Sequence, residues 1–148
     1  MNKTQQQIRD YFFSQKDEIC THLKHLMEIK SISDDRKACK EALRYVIRLA
    51  ESFGMKTAVG KHDDVGVIEI GEGRLTLGIL AHVDVVDEGS LAAWNYEPFT
   101  LTETDGMFYG RGIVDDKGPV IVSLYAMKFL LEQVPKFQRK IQLIVGSS

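Results

Sequence analysis

Leu75-Thr76-Leu77-Gly78-Ile79-Leu80-Ala81-His82-Val83-Asp84 is a nearly continuous apolar run that ends in two side chains of metal-ligand type. A run this short and apolar, preceded by the turn Gly71-Glu72-Gly73, has the pattern of a strand buried on both faces. It predicts an α/β fold, specifically a three-layer α/β/α arrangement in which Leu75–Ala81 is a central strand of a mixed, mostly parallel sheet covered by helices on both sides. In such sheets ligands gather beyond the carboxyl ends of the strands, and His82 and Asp84 fall there. If the backbone stays extended, residues two apart point to the same side, so these two share a face while Val83 turns to the core. A neutral imidazole is a good zinc ligand, and a nearby carboxylate can hold its other nitrogen in the required tautomer. A simple pairing of His82 with Asp84 at a strand end accounts equally for this spacing.

The second informative stretch is Gly110-Arg111-Gly112-Ile113-Val114-Asp115-Asp116-Lys117-Gly118-Pro119. It lacks the spacing and hydroxyl of a phosphate loop. One carboxylate is enough to cap the helix predicted to begin near Lys117, and Pro119 suits its first turn. Two adjacent carboxylates suit something more, because one can bridge metal ions while its neighbour caps.

Outward from these stretches, Ile8, Tyr11, Phe12, Ile19, Leu23, Leu26 and Met27 recur at helical steps and predict one long amphipathic helix. Cys20, His22 and His25 on it do not converge on one point, so they are read as packing rather than as a metal cluster. Cys39, Ala42, Leu43, Val46, Ala50 and Phe53 predict a second helix that stops at Gly54. The segments 55–59 and 65–70 are β-branched and read as strands toward a sheet edge. Lys61-His62-Asp63-Asp64 between them is read as a charged turn. Trp94 and Phe99 are read as loop anchors, Asp105-Gly106 as a hairpin turn before a short strand at 107–109, and 140–146 as a further buried strand.

The whole sequence has 148 residues, 44% hydrophobic and 27% charged, with a formal net charge of −2. That balance suits one globular domain and gives no reason to expect a nucleic acid or an anionic membrane as partner. Cys20 and Cys39, the only cysteines, are too few for a disulfide framework. With a polar N-terminus and no bilayer-length apolar stretch, the expected location is cytoplasmic.

His82-Val83-Asp84-Val85-Val86, Trp94 with Pro98-Phe99, Asp105-Gly106, and Gly110 through Pro119 together resemble the M20 family of zinc metallopeptidases, in the Asp-Asp-Lys-Gly-Pro form most similar to its dipeptidase branch. The resemblance implies that His82 ligates one zinc, that Asp115 bridges two, and that Asp84 is the active-site carboxylate orienting His82. It also implies a cis peptide at Asp115-Asp116. The metal would be zinc, with Mn or Co as alternatives, and the substrate a dipeptide or short peptide. In that family a Glu-Glu pair, the base and a further ligand, follows the strand that ends here at Gly146-Ser147-Ser148. Residues 1–148 therefore correspond to the N-terminal part of a catalytic domain, without the lid or dimerisation domain and the C-terminal catalytic segment, and are expected to be inactive alone. Two other functions fit the sequence: amidohydrolysis of N-acyl amino acids, and a non-catalytic metal-binding or interaction domain. A truncated sheet would also leave an exposed edge, so self-association is expected.

Overall fold

The computed structural model describes residues 2–136 and 138–147. Helix α3 (Arg36–Ser52) shows how the elements arise. Asp35 caps it through the Ala38 N–H at 3.0 Å, and Cys39, Ala42, Leu43, Val46, Ile47, Leu49 and Ala50 form one buried stripe. Gly54 then takes a left-handed φ of 79°, which ends the helix and turns the chain into β1 (Lys56–Val59).

The predicted single N-terminal helix is two, α1 (Lys3–Ser14) and α2 (Lys16–Glu28), joined at Gln15. The break changes what α1 reaches. Tyr11 and Phe12 lie 5.0 and 6.0 Å from the Phe129 ring, and the Tyr11 hydroxyl donates to Glu132 at 2.8 Å, so α1 rests on the far end of α4 (Lys117–Gln133). Periodicity continues through such a bend, because Tyr11 and Phe12 of α1 and Ile19, Leu23 and Leu26 of α2 keep helical spacing across it.

The main sheet has the order β1-β2-β6-β3, with β2 at Val65–Ile70, β3 at Thr76–His82 and β6 at Lys140–Gly146. The α/β class and mixed sheet agree with expectation; the expected mostly parallel pairing does not. β1–β2 and β2–β6 are antiparallel, and only β3–β6 is parallel. The five-residue loop 60–64 is too short for a parallel crossover, whereas α4 supplies one between β3 and β6.

Two further expectations are corrected. β3 is an edge strand of this sheet rather than a central one, and Leu75, Leu77 and Leu80 are 60%, 52% and 79% exposed. Nor is there a third layer among the described residues. Ile68, Ile70, Leu143 and Val145 face one core shared with α2, α3 and α4. The alternate row, in which register aligns Leu80 with Ile144 and Ile144 with Val67, has no helix over it. Sequence alone could not show this, since an apolar strand reads the same whether or not its second face is covered.

A small hairpin, β4 (Thr102–Thr104) and β5 (Met107–Tyr109), closes through Asp105 and Gly106 at φ 53° and 75°. Two successive positive φ values give the twist that a tight hairpin needs, and Asp-Gly supplies them.

Candidate metal centre

His82 is the last residue of β3, and its ring is held between two oxygens. Its Nδ1 lies 2.9 Å from the Asp84 carbonyl oxygen and 3.4 Å from Asp84 Oδ1, while its Nε2 lies 2.8 Å from Asp115 Oδ1. A carbonyl oxygen can only accept, so Nδ1 carries a proton. Nε2 facing a carboxylate must then carry a second proton or share a cation with it. Burial lowers the His82 pKa, but the Asp84 backbone bond, the Asp115 carboxylate and the charges of Asp84 and Asp116 outweigh it, holding the imidazole above its ordinary value. This donor pair suits a divalent metal, because a cation between Nε2 and Oδ1 replaces the second proton. The Asp115 side chain is 84% exposed and open to further ligands.

Local structure fixes each member. Ile32 and Val85 form a parallel bridge, Val85 N–H donates to Ser31 O at 2.8 Å, and the buried Ser31 hydroxyl donates to Val83 O at 2.7 Å. The segment after β3 is thereby pinned to the loop between α2 and α3. From that loop Ser33 donates its hydroxyl to Asp84 Oδ2 at 2.8 Å, orienting the carboxylate beside the ring.

On the other side, the peptide between Asp115 and Asp116 is cis, as the family resemblance implies. Asp116 does not cap α4 with its side chain. Its Oδ2 instead accepts the His82 backbone N–H at 3.1 Å, tying the turn to the end of β3. The fully buried Lys117 donates to Leu26 O at 3.0 Å and Ile29 O at 2.6 Å, carbonyls at the end of α2. Gly118 is required by space: a Cβ there would run into the Ile113 carbonyl oxygen.

The structure thus brings His82, Asp84 and Asp115 together, as the two sequence motifs suggested. Ser33, Asp116 and Lys117 were missed as supporting residues. The adjacent carboxylates were the only sequence signal for Asp116, and nothing in sequence pairs Ser33 with Asp84 across the fold. Among the described residues no group of three or more His, Cys, Asp or Glu side chains converges as a metal site. His22 bonds Tyr45 through Nδ1 at 2.8 Å, consistent with packing rather than ligation on α2. Trp94 donates to Glu88 O at 2.8 Å and supports the Arg111 guanidinium 5.0 Å from its ring, while Phe99 is 3% exposed, so both serve as loop anchors.

Residues 78–148 match the family described as peptidase family M20/M25/M40. A provisionally named dipeptidase of Staphylococcus epidermidis is 40% identical over 134 residues, covering 84% of this chain and 28% of the relative. A similarly named protein of Staphylococcus saprophyticus is 38% identical, covering 94% and 31%. Among solved structures, human carnosine dipeptidase 1 superposes with a TM-score of 0.82 at 25% identity, covering 96% of this chain and 34% of that one. The M20 metallo-carboxypeptidase Sso-CP2 of Sulfolobus solfataricus gives 0.78 at 27% identity, covering 88% and 30%. The chain therefore spans about a third or less of the length of each of these proteins.

Proposed function

We propose, from the match of residues 78–148 to peptidase family M20/M25/M40, that this chain belongs to that family and forms the N-terminal part of a zinc-dependent dipeptidase catalytic domain. The observation that carries the reading is the His82 ring held between the Asp84 carbonyl and the Asp115 carboxylate. In this reading His82 and Asp115 hold zinc, and Asp84, steadied by Ser33, keeps the imidazole in the tautomer that leaves Nε2 for the metal. Bound zinc supplies Lewis acidity toward a peptide carbonyl and lowers the pKa of water. Asp116 and Lys117 position Asp115 by tying its turn to β3 and to α2.

A catalytic zinc normally has three protein ligands, and hydrolysis needs a general base. His82 and Asp115 supply two donors, so the 148 residues alone bind metal weakly and do not turn over substrate. Substrates of the complete enzyme are dipeptides or short peptides, a reading supported by the names of the relatives. Two cysteines are too few for a disulfide framework, which supports a reducing cytoplasmic location, and no helix among the described residues is long and apolar enough to cross a membrane.

The test has two arms. Calorimetric titration of the chain with Zn²⁺ should give weak binding that His82→Ala removes, and a dipeptide panel should show no hydrolysis. Zinc binding unchanged in His82→Ala refutes the site. Zinc-dependent hydrolysis by the chain, lost in that variant, refutes the predicted inactivity while leaving the site intact.

A further inference from the structure

Arg111 ties together the two segments that carry the metal centre. Its Nη2 donates to the carbonyl oxygen of Asp87 at 3.0 Å, three residues after Asp84, and Arg111 itself stands four residues before Asp115. Residues 82–87 and 111–115 therefore form a closed circuit, joined at one end by this bond and at the other by His82 Nε2 and Asp115 Oδ1. Both supports of the guanidinium are fixed. It lies 5.0 Å from the Trp94 ring, and Trp94 donates to Glu88 O, next to Asp87. On the backbone side, Arg111 N–H donates to Pro98 O at 2.6 Å, and Gly110 sits so close to the core that a Cβ would strike Met27 of α2.

The clamp does little for the stability of the fold. Asp87 is an exposed residue, so water can take the place of the guanidinium at its carbonyl. Arg111 Nε is enclosed without a hydrogen-bond partner among the described residues, which is unfavourable. A local rule broken in this way is expected where a site needs the residue. What the clamp supplies is geometry. The Asp115 side chain is 84% exposed, so packing holds it little and its distance from His82 depends on its backbone. Asp116, bonded to the His82 amide, is one tie between the two segments and alone would act as a hinge. A second tie at Arg111 fixes the angle.

We propose that Arg111 is a positioning residue, which holds the segment of His82 and Asp84 at metal-binding distance from Asp115. Its consequence for zinc rests on the proposed function, whereas its geometric role does not.

The experiment compares the 148-residue chain with Arg111→Met, whose unbranched side chain keeps a stem over Trp94 and removes the donors. Hydrogen exchange followed by ¹H–¹⁵N NMR without metal should be several-fold faster at the His82 amide, with the Leu143 and Val145 amides of β6 unaffected and the melting temperature unchanged or raised. Calorimetric titration with Zn²⁺ should show affinity reduced by up to about tenfold, as for a partner that orients a ligand. Arg111→Lys can still reach Asp87 O but cannot lie as a flat fork on the ring, so it should give intermediate values. It decides by the same measurements if Arg111→Met does not fold. Unchanged exchange at His82, or exchange that quickens equally at Leu143 and Val145, overturns the proposal. So does unchanged zinc affinity in Arg111→Met. Absence of zinc binding by the unsubstituted chain refutes the zinc site instead, and the His82 exchange rate alone then decides the clamp.

Discussion

His82 Nε2 and Asp115 Oδ1 lie 2.8 Å apart although 33 positions separate them in the chain. With Nδ1 committed to a carbonyl, the metal-free pair is held by an imidazolium. The His82 pKa is therefore raised, and its stabilising contribution is present in full below about pH 6.5, the unfolded value, and lost as pH rises through the higher folded value. An NMR titration of the metal-free chain should give His82 a pKa above about 6.5, and Asp115→Asn should bring it down. A His82 value at or below the ordinary one would contradict the geometry.

Lys117 should carry an alkaline signature. Burial pushes its pKa down to about 8, so the folded state releases a proton that the unfolded chain keeps until about pH 10.4. Its contribution to stability should rise with pH across that interval. Lys117→Met should remove this component and cost about 2–4 kcal/mol at neutral pH, because it leaves Leu26 O and Ile29 O without their donor. Urea unfolding of both proteins at pH 7.5 and pH 10 checks sign and size together.

Gly118→Ala puts a methyl group against the Ile113 carbonyl oxygen at the start of α4. Alanine normally favours a helix over glycine by about 1 kcal/mol. Here the sign should reverse, with a loss of about 2–4 kcal/mol as the turn carrying Asp115 is forced away. Thermal unfolding measures the loss, and a neutral or stabilising result means the turn yields without cost.

Ser33→Ala removes the hydroxyl that holds Asp84 and should cost about 1 kcal/mol. Under the proposed function it should also weaken zinc binding, by less than the about 10-fold usual for a direct partner of a ligand, because Ser33 acts on His82 only through Asp84. Calorimetry with Zn²⁺ on the variant gives the answer; unchanged affinity would remove Ser33 from the site.

The open edge of β3 and the bare row containing Leu80 suit pairing with another strand. The chain should associate with itself at rising concentration, and Leu80→Lys should suppress this, as exposed lysine protects natural edges. Sedimentation velocity across a concentration series decides, with a monomer throughout counting against it.

The sequence by itself determined most of the elements and singled out the candidate site residues that the fold brings together. Helical steps in α3, the Asp-Gly hairpin, the apolar run ending at His82 and the paired carboxylates before α4 depend on local spacing and backbone preference, which need no partner to be read. The bend at Gln15 escaped because the apolar residues of both halves keep helical spacing across it. Only the tertiary structure decided that β3 lies at the edge, that one sheet face is bare, and that most pairings are antiparallel. Only it joined Ser33 to Asp84, Asp116 to the His82 amide, and Lys117 to the end of α2. These relationships are set by which elements pack together, and residues 34 to 91 positions apart leave no periodic trace of such contacts in one chain.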